Sequence, residues 1–469
     1  MTARIKTIRS SWWEGYGYRL DCQPYLAGAL ETKIILEGLA LRKDRLQSLT
    51  KGHAGGIYNG PQFARHYVES LEYGVPFLGS ASMLYADLSG LPLLSRKQAL
   101  SDKLEYLEIK RGMTLISCSG TIGKTVYARP EMEGMWSSQH IMKVVPDPGK
   151  IPPGYLYAFL SSKFGVPLVV SGTYGSIIQE IEPEHLTGIP VPRLDEQTEL
   201  EIHALVERAA ALRTEASKKL NENSERLLTY LKFPPLKKKT VSEVGWTSIP
   251  HSELDLRLDA HYHSASAYEV ERLVRECHVG YTALKEVTTR LFKPPMFKRL
   301  WVDDPDFGTQ FVSGIDAYCL RSNDPRYVSL TMKGYDEFVL HRGWVIFQAA
   351  GSIYGLFGRP LYVRGWLEGL FCADDLYRIV PHTEEDGAFL YAYFRTPHGR
   401  VSIQRESAGH AIPRVWDPQM FHILVPWPKE ERVRKDFAEP VIAAHDLIEQ
   451  ARQAEDMAIL SLEQTIESM

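Results

Sequence analysis

Cysteine is scarce in this 469-residue chain: Cys22, Cys118, Cys277, Cys319 and Cys372 are scattered, and no two form a C-x-x-C pair. Neither a disulfide framework nor a cysteine zinc site is therefore expected. Long apolar runs are lacking too, and a stretch such as Val166 to Val170 is far too short to span a bilayer. Met1 to Gly17 is basic and then aromatic, without the uninterrupted apolar core of a signal peptide. A cytoplasmic protein is expected. No G-x-G-x-x-G follows a strand-like run and no N-P-P-Tyr/Phe base-flipping signature occurs, so the chain is not expected to bind a methyl donor itself. A basic excess is also missing, since the formal net charge is −4.

What is present is a repeat. Leu156-Tyr157-Ala158 recurs as Leu390-Tyr391-Ala392, and Ile189-Pro190-Val191-Pro192 as Ile423-Leu424-Val425-Pro426, both at an offset of 234. Arg19-Leu20-Asp21 matches Arg257-Leu258-Asp259, Arg111-Gly112 matches Arg342-Gly343, Val145-Pro146 matches Val380-Pro381, and Gly175 matches Gly409. Gly120-Thr121-Ile122-Gly123 corresponds to Gly351-Ser352-Ile353-Tyr354-Gly355 with one inserted residue. Order is kept throughout, which identifies a tandem duplication. The length accommodates two hydrophobic cores, and 44% apolar with 24% charged residues is an ordinary globular balance.

Charge is distributed unevenly. Lys51 to Val68 holds Lys51, His53, Arg65 and His66 without an acid, and Arg290 to Arg299 holds Arg290, Lys293, Lys298 and Arg299 without one. These stretches take matching places in the two copies, as a phosphate-facing surface requires. The acidic excess sits in helical segments, at Glu196, Glu199, Glu201, Glu207 and Glu215 and again at Glu449, Glu455, Asp456, Glu463 and Glu467.

Each copy is read as a loop-rich α+β domain. It opens on a helix over 25–41 or 264–277 and continues through strands at 113–118 and 140–145, or 344–348 and 376–380. A second helix over 153–164 or 388–396 follows, and a Pro-punctuated strand at 189–192 or 423–428 closes the domain. Then the period changes. Ile202, Leu205, Ala209, Leu212, Ala216, Leu220, Leu227 and Leu231 step by three or four residues, with a polar gap at 221–224. Val433, Phe437, Val441, Ala444, Ile448, Ala451, Leu462 and Ile466 repeat the stripe, although Pro440 is expected to kink that helix or delay its start. Asp195 is the N-cap of the first rod. A helix of about 35 residues would run about 50 Å, roughly fifteen base pairs of duplex.

Two motifs invite a catalytic reading. Ser119 to Thr125 ends in Gly-Lys-Thr like a phosphate-binding loop, but Cys118 stands where the first glycine belongs and the second copy has no Lys-Thr. The glycines are read instead as a tight turn between strands. Glu108-Ile109-Lys110, with Asp87 or Asp102 upstream, looks like a nuclease triplet, but the other copy has Val339-Leu340-His341. His261 and His263 lie near Asp259 without a third ligand at metal spacing. No catalytic residue and no metal site is assigned.

The order of parts resembles the DNA specificity subunit of type I restriction-modification systems. The resemblance covers the whole chain and rests on Arg19-Leu20-Asp21, on Gly112 to Ser117 with Ser119 to Gly123, and on Ile177 to Leu186 leading to Ile189-Pro190-Val191-Pro192 and the rod. It implies an α+β tandem duplication. Target-recognition domains span 1–193 and 249–428, long helices span 194–232 and 429–469 and pair as an antiparallel coiled coil, and 233–248 is a linker. It implies a non-catalytic, DNA-binding subunit that reads a bipartite asymmetric target on double-stranded DNA in DNA methylation and phage defence.

On this resemblance the partners are methyltransferase (modification) subunits gripping the helices at Leu205, Leu212, Leu220, Val441, Ile448 and Leu462, and restriction or translocase subunits are an open extension. No cofactor belongs to this chain; S-adenosylmethionine, and ATP with Mg in a restricting system, belong to the partners. The protein is expected in the cytoplasm of a bacterium or archaeon, at the nucleoid when bound. Lys51, Arg65, Lys293, Lys298 and Arg299 are assigned to phosphates. Ser119, Thr121, Tyr174, Gln179, Ser352, Tyr354 and His410 are assigned to base-proximal positions. The second copy departs from the family pattern, with Gln348-Ala349-Ala350-Gly351 at the glycine turn and Arg414-Val415-Trp416 in place of Glu180-Ile181-Glu182. Alternatives are a type IIB-like or methylation-only defence system, a self-contained nucleotide hydrolase or nuclease, and a scaffold that binds no DNA.

Overall fold

The computed structural model describes residues 7–8, 10, 23–26, 28–173, 180–236, 248–249, 251, 257–322, 326–353, 355–409 and 412–469. The chain forms two compact units, Met1–Thr214 with Gln450–Met469, and Glu215–Glu449. The first unit contains α1 (Ala29–Gly38), β1 (Lys43–Arg45), β2 (Ile57–Tyr58), β3 (Tyr67–Val68), β4 (Gly74–Leu78), β5 (Leu93–Ser95), β6 (Thr114–Ser117), β7 (Thr125–Tyr127), β8 (Trp136–Ser137) and β9 (Ile141–Val144). After them come α2 (Pro153–Ser161), α3 (Gly165–Val170), β10 (Pro190–Pro192) and the start of α4 (Glu196–Leu231). The second unit repeats this order with α5 (Ala265–Arg275), β11 (Tyr281–Ala283), β12 (Thr288–Phe292), β13 (Trp301–Val302), β14 (Gly308–Val312), β15 (Arg326–Ser329), β16 (Val345–Gln348), β17 (Pro360–Tyr362), β18 (Phe371–Cys372) and β19 (Leu376–Pro381). It closes with α6 (Glu384–Arg395), α7 (Pro397–Arg405), β20 (Leu424–Pro426) and α8 (Glu431–Glu467).

The duplication is topological as well as sequential. The first unit has sheets ordered β1-β10, β2-β9-β6-β7 and β3-β5-β4-β8, and the second has β11-β20, β12-β19-β16-β17 and β13-β15-β14-β18. In each unit one pair is parallel, β4 with β8 and β14 with β18. The glycine turn is a hairpin between β6 and β7, and β16 and β17 form its counterpart. The structural counterpart of Gly123 (φ +77) is Gly358 (φ +70) rather than Gly355, since each donates its N–H to the last residue of the preceding strand, Ser117 or Gln348, and the second turn is longer by more than one residue. A Cβ at Gly123 would lie 2.5 Å from Val170 Cγ2.

Helix α2 is apolar almost all round, and α6 is so from Gly387 to Phe394 between an acidic first turn and Arg395, which demands burial of these stretches. Leu156-Tyr157-Ala158 and Leu390-Tyr391-Ala392 accordingly lie in the two main cores. The expected first helix over 25–41 is shorter, because Gly28 turns left-handed (φ 83) before it and Leu39 is already extended.

The long helices contribute their stripes to these same cores. Ile202, Val206 and Ala210 of α4 pack with Ala458, Leu462 and Ile466 of α8 in the first unit. Ala216, Leu220, Leu227 and Leu231 pack with Phe437, Val441 and Ala444 in the second. Ala209, Ala451 and Ala454 allow close approach, with Leu212 against them. Leu220, Val441 and Leu462 are therefore buried within the chain, while Leu205 and Ile448 are half-buried beside the cores.

Pro440 does not delay the start of α8: the helix begins at Glu431 and contains the proline. Its missing N–H strands the Asp436 carbonyl, and the Arg226 guanidinium of α4 donates to that carbonyl. Asn223 Nδ2 donates to the next carbonyl, Phe437 O, at 2.9 Å, and Arg226 lies 4.6 Å from the centre of the Phe437 ring. The polar gap in one stripe thus complements the proline in the other. Arg226→Ala is expected to lose about 1–2 kcal/mol, and the loss should shrink when Pro440 is replaced by alanine, whose N–H can serve Asp436. A denaturant titration of the four-member cycle checks this; equal losses in both backgrounds would refute the complementarity.

Candidate nucleic-acid interface

Superposing the two strand orders brings out a second repeated string: Pro61-Gln62-Phe63-Ala64-Arg65-His66-Tyr67-Val68 corresponds to Pro295-Met296-Phe297-Lys298-Arg299-Leu300-Trp301-Val302. It enters the edge strand of the smaller four-stranded sheet, β3 or β13, in each unit. There Phe63 packs on a core containing Phe77, Leu94 and Trp136, and Phe297 on one containing Phe311, Val328 and Phe371. Tyr67 and Trp301 are left 51% and 40% exposed, each edge-on to the underlying ring of Phe77 or Phe311.

Each arginine lies against that ring. Arg65 is 5.4 Å from the Phe77 centroid, and Arg299 is 5.3 Å from Phe311 and 5.4 Å from Phe297. A cation–π contact holds a guanidinium near the ring without consuming its donors. Both arginines then reach the residue two places before the central strand of the larger sheet: Arg65 Nη2 donates to Gln139 Oε1 at 2.9 Å, and Arg299 Nη2 is 3.9 Å from Asp374 Oδ1. The next residues are His140, whose Nε2 is 3.1 Å from Gln139 Nε2, and Asp375. Asp375 is pushed up by burial and by Asp374, and its Oδ1 has no hydrogen-bond partner.

In the first unit these groups border a polar cleft of about 410 Å³ lined by Asn59, Gln62, Ser119, Gln139, His140, Glu180 and Glu182. Ser119 bridges to Glu180, and Ala350 bridges in the same way to Arg414. Ile181 and Val415, the middle residues of the two divergent triplets, donate N–H groups to Cys118 O and Ala349 O at 3.0 Å and are buried. Their neighbours, Glu180 and Glu182 against Arg414 and Trp416, form the variable rim. Behind the rim each central strand carries a fully buried cation in the same place. Lys143 Nζ donates to Ile141 O at 3.2 Å, and Arg378 donates to Leu376 O and, at 3.0 Å, to Cys372 O. Burial pulls Lys143 down to about 7 and Arg378 to about 10, and pushes the Cys118 thiol up to about 11.

Among solved structures the chain is similar to type I restriction-modification S subunits. One is the S subunit from M. genitalium, at 12% identity over 92% of this chain and 95% of that one, with a TM-score of 0.37. A second is the HsdS subunit from Thermoanaerobacter tengcongensis, at 13% identity over 91% and 95%, with a TM-score of 0.28. A third comes from a study of complex assembly and conformational transition in the type I restriction-modification system, at 13% identity over 89% and 97%, with a TM-score of 0.27. No protein-family model and no curated protein matches the sequence.

The remaining candidate residues are placed as follows. Lys51 pairs with Asp147 at 3.1 Å, at the opposite end of β9 from Gln139, so the structure does not gather it with Arg65. Lys298 is exposed, while the Lys293 amide donates to Asp417 Oδ1 at 3.1 Å. Thr121 sits in the hairpin turn with Ser117 Oγ donating to its carbonyl, and Ser352 is exposed in the counterpart turn. Tyr174, Gln179, Tyr354 and His410 lie outside the described residues, as does Arg19-Leu20-Asp21.

The motifs that suggested catalysis have structural duties. The Gly-Lys-Thr loop turns between two strands, whereas a phosphate-binding loop opens a helix. Ile109 of the E-x-K triplet is a core residue, and Glu108 is 3.9 Å from Lys110. His263 engages Tyr268 OH and Arg257 O, both at 2.8 Å, and His261 engages Gln404 O at 2.8 Å. Arg257 caps α7 by donating to Glu406 O at 3.2 Å and to Ser407 O. Among the described residues no group of three or more His, Cys, Asp or Glu could hold a metal ion, and no helix is long and apolar enough to cross a membrane.

Reasoning from sequence missed Gln139, His140, Asp374, Asp375, Tyr67 and Trp301. The repeated P-x-F-x-R-x-Tyr/Trp-V string was the available signal for Tyr67 and Trp301.

Proposed function

We propose that this chain is a non-catalytic DNA specificity subunit in which each unit reads one half of a bipartite, asymmetric duplex target. The observation that carries the reading is the twice-built arginine and aromatic element beside a rim that differs between copies. A common frame with divergent polar edges is what two readers of unequal half-sites require. Lys51, Arg65, Lys293, Lys298 and Arg299 would hold phosphates, and the turns bearing Ser119, Thr121 and Ser352 would face the bases. Because the apolar stripes of α4 and α8 are spent inside the chain, methyltransferase subunits would grip the outer faces of these helices. Those partners supply S-adenosylmethionine chemistry, and a restricting system would add ATP-driven subunits. The assembly would act in the cytoplasm.

Binding of the full chain to a randomised duplex library across a salt series tests the reading. Log affinity should fall linearly with log salt, and one bipartite motif should be enriched. Lys298→Ala should weaken all sequences alike and reduce the slope by about 1. An affinity independent of salt would leave a scaffold that binds no DNA and would overturn the proposal.

A further inference from the structure

Resting on that reading, we infer that position 139 in the first unit and its counterpart 374 in the second are the specificity-determining positions. The first unit favours a base edge that presents acceptors, and the second requires a base that carries an exocyclic amine.

The inference comes from what the two copies keep and what they change. Kept are the arginine against an aromatic ring, that ring, and the exposed aromatic two residues after the arginine at the start of the edge strand β3 or β13. Kept also is the span from that arginine to the residue before the central strand of the larger sheet, 74 positions on in the first unit. Changed is the group found there. Gln139 followed by His140 offers an amide and an imidazole, which together supply donors and acceptors. Asp374 followed by Asp375 offers carboxylates, which as anions only accept.

Arginine contacts constrain these groups further. The side-chain oxygen of Gln139 accepts from Arg65, and its NH₂ directs one hydrogen to His140 Nε2, which leaves the second for an acceptor such as purine N7. Asp374 is partly neutralised by Arg299, while Asp375 keeps one carboxyl oxygen without a partner. The Asp375 carboxylate also rests against Gly314, where an added Cβ would lie 3.0 Å from Oδ2 and 3.1 Å from Oδ1. The absent side chain at 314 is what makes room for the acid. A buried acceptor of this kind is completed by an amino group, which in the major groove means cytosine N4 or adenine N6.

The test uses shape-preserving changes in the full chain, Gln139→Glu and Asp374→Asn, each sequenced after selection from the randomised duplex library. Asp374→Asn should change the preference at one position of one half-site by roughly tenfold or more and leave the other half-site alone. Gln139→Glu should shift the opposite half-site towards an amine-bearing base. Should a variant melt below the wild type, Gly314→Ala gives a second route: by crowding Asp375 it should alter the same position as Asp374→Asn. Motifs that stay unchanged while affinity drops uniformly would overturn the inference and leave the reading of the chain intact. Absence of any motif for the wild type would overturn that reading itself.

Discussion

Replacing Glu455 by alanine is expected to cost about 3–5 kcal/mol of stability, the largest loss for any single side chain considered, because it strands a buried guanidinium. Glu455 projects from α8 into the first unit, where Arg213 Nη2 donates to Oε2 at 2.5 Å and Tyr157 OH donates to Oε1. The side chains of Arg213 and Glu455 are only 7% and 3% exposed. Arg129, itself buried, stands close enough for its charge to be felt by the same cluster. Removing the carboxylate takes the ion-pair partner from the buried Arg213, while the nearby Arg129 keeps Glu131 and the Ala86 carbonyl. Chemical denaturation of the full chain should show the midpoint falling. A drop of roughly 6–20 °C in the thermal midpoint is expected for a unit of this size. The double variant Arg213→Met with Glu455→Met should recover most of the loss, because a buried ion pair exchanged for apolar groups of similar volume is often neutral. A loss below about 1 kcal/mol for Glu455→Ala would mean that water reaches Arg213.

Lys143→Met is expected to act in the opposite direction and stabilise the protein near neutral pH. Lys143 is fully buried on the central strand β9, makes one hydrogen bond to a carbonyl and lies 5.6 Å from the Tyr58 ring centre. Burial lowers its ammonium to about 7 from the ordinary 10.5. At and below pH 7 the folded state must hold a charge that the unfolded chain solvates freely, a cost on the order of 3–5 kcal/mol. Between about 7 and 10.5 the unfolded chain binds more protons than the folded one, so wild-type stability should rise with pH across that window. It should be lost again as pH falls through 7. The methionine variant should lack this rise, and its advantage should vanish towards pH 10. A variant less stable than wild type at pH 7 would refute the argument and assign the ammonium an interaction that outweighs desolvation.

That a cation recurs at Arg378 gives the position a meaning beyond stability. Both cations sit on the strand that follows the proposed reading residues, and both donate to the carbonyl two residues back. A buried positive charge behind a polar rim raises the potential in front of it, which favours an approaching phosphate backbone.

Much of this was legible in the sequence, for definite reasons. Glycine and proline punctuate the chain through their own backbone restrictions, so the hairpin turn at Gly123 and the strand ending at Pro192 could be located from neighbours alone. The three- and four-residue stripes of α4 and α8 follow from helical periodicity, which is likewise local. The duplication multiplied this information, because a motif present in one copy only, such as the Gly-Lys-Thr loop, could be set against its empty counterpart.

Other features were decided by pairing between residues remote in sequence. Pro440 looked like a helix breaker because only its own missing N–H was visible; Arg226 and Asn223 of α4, over two hundred positions earlier, satisfy the carbonyls it disturbs. Gln139 and Asp374 carried no recognisable signature, since their significance lies in the arginine that reaches each of them from another sheet. Sequence alone therefore determined that a frame was built twice and where its helices and turns lie, since these depend on local backbone preferences. Which side chains meet at the rim, and which charges are buried behind it, was decided by the tertiary structure, because sheet pairing and helix packing choose partners that sequence spacing does not.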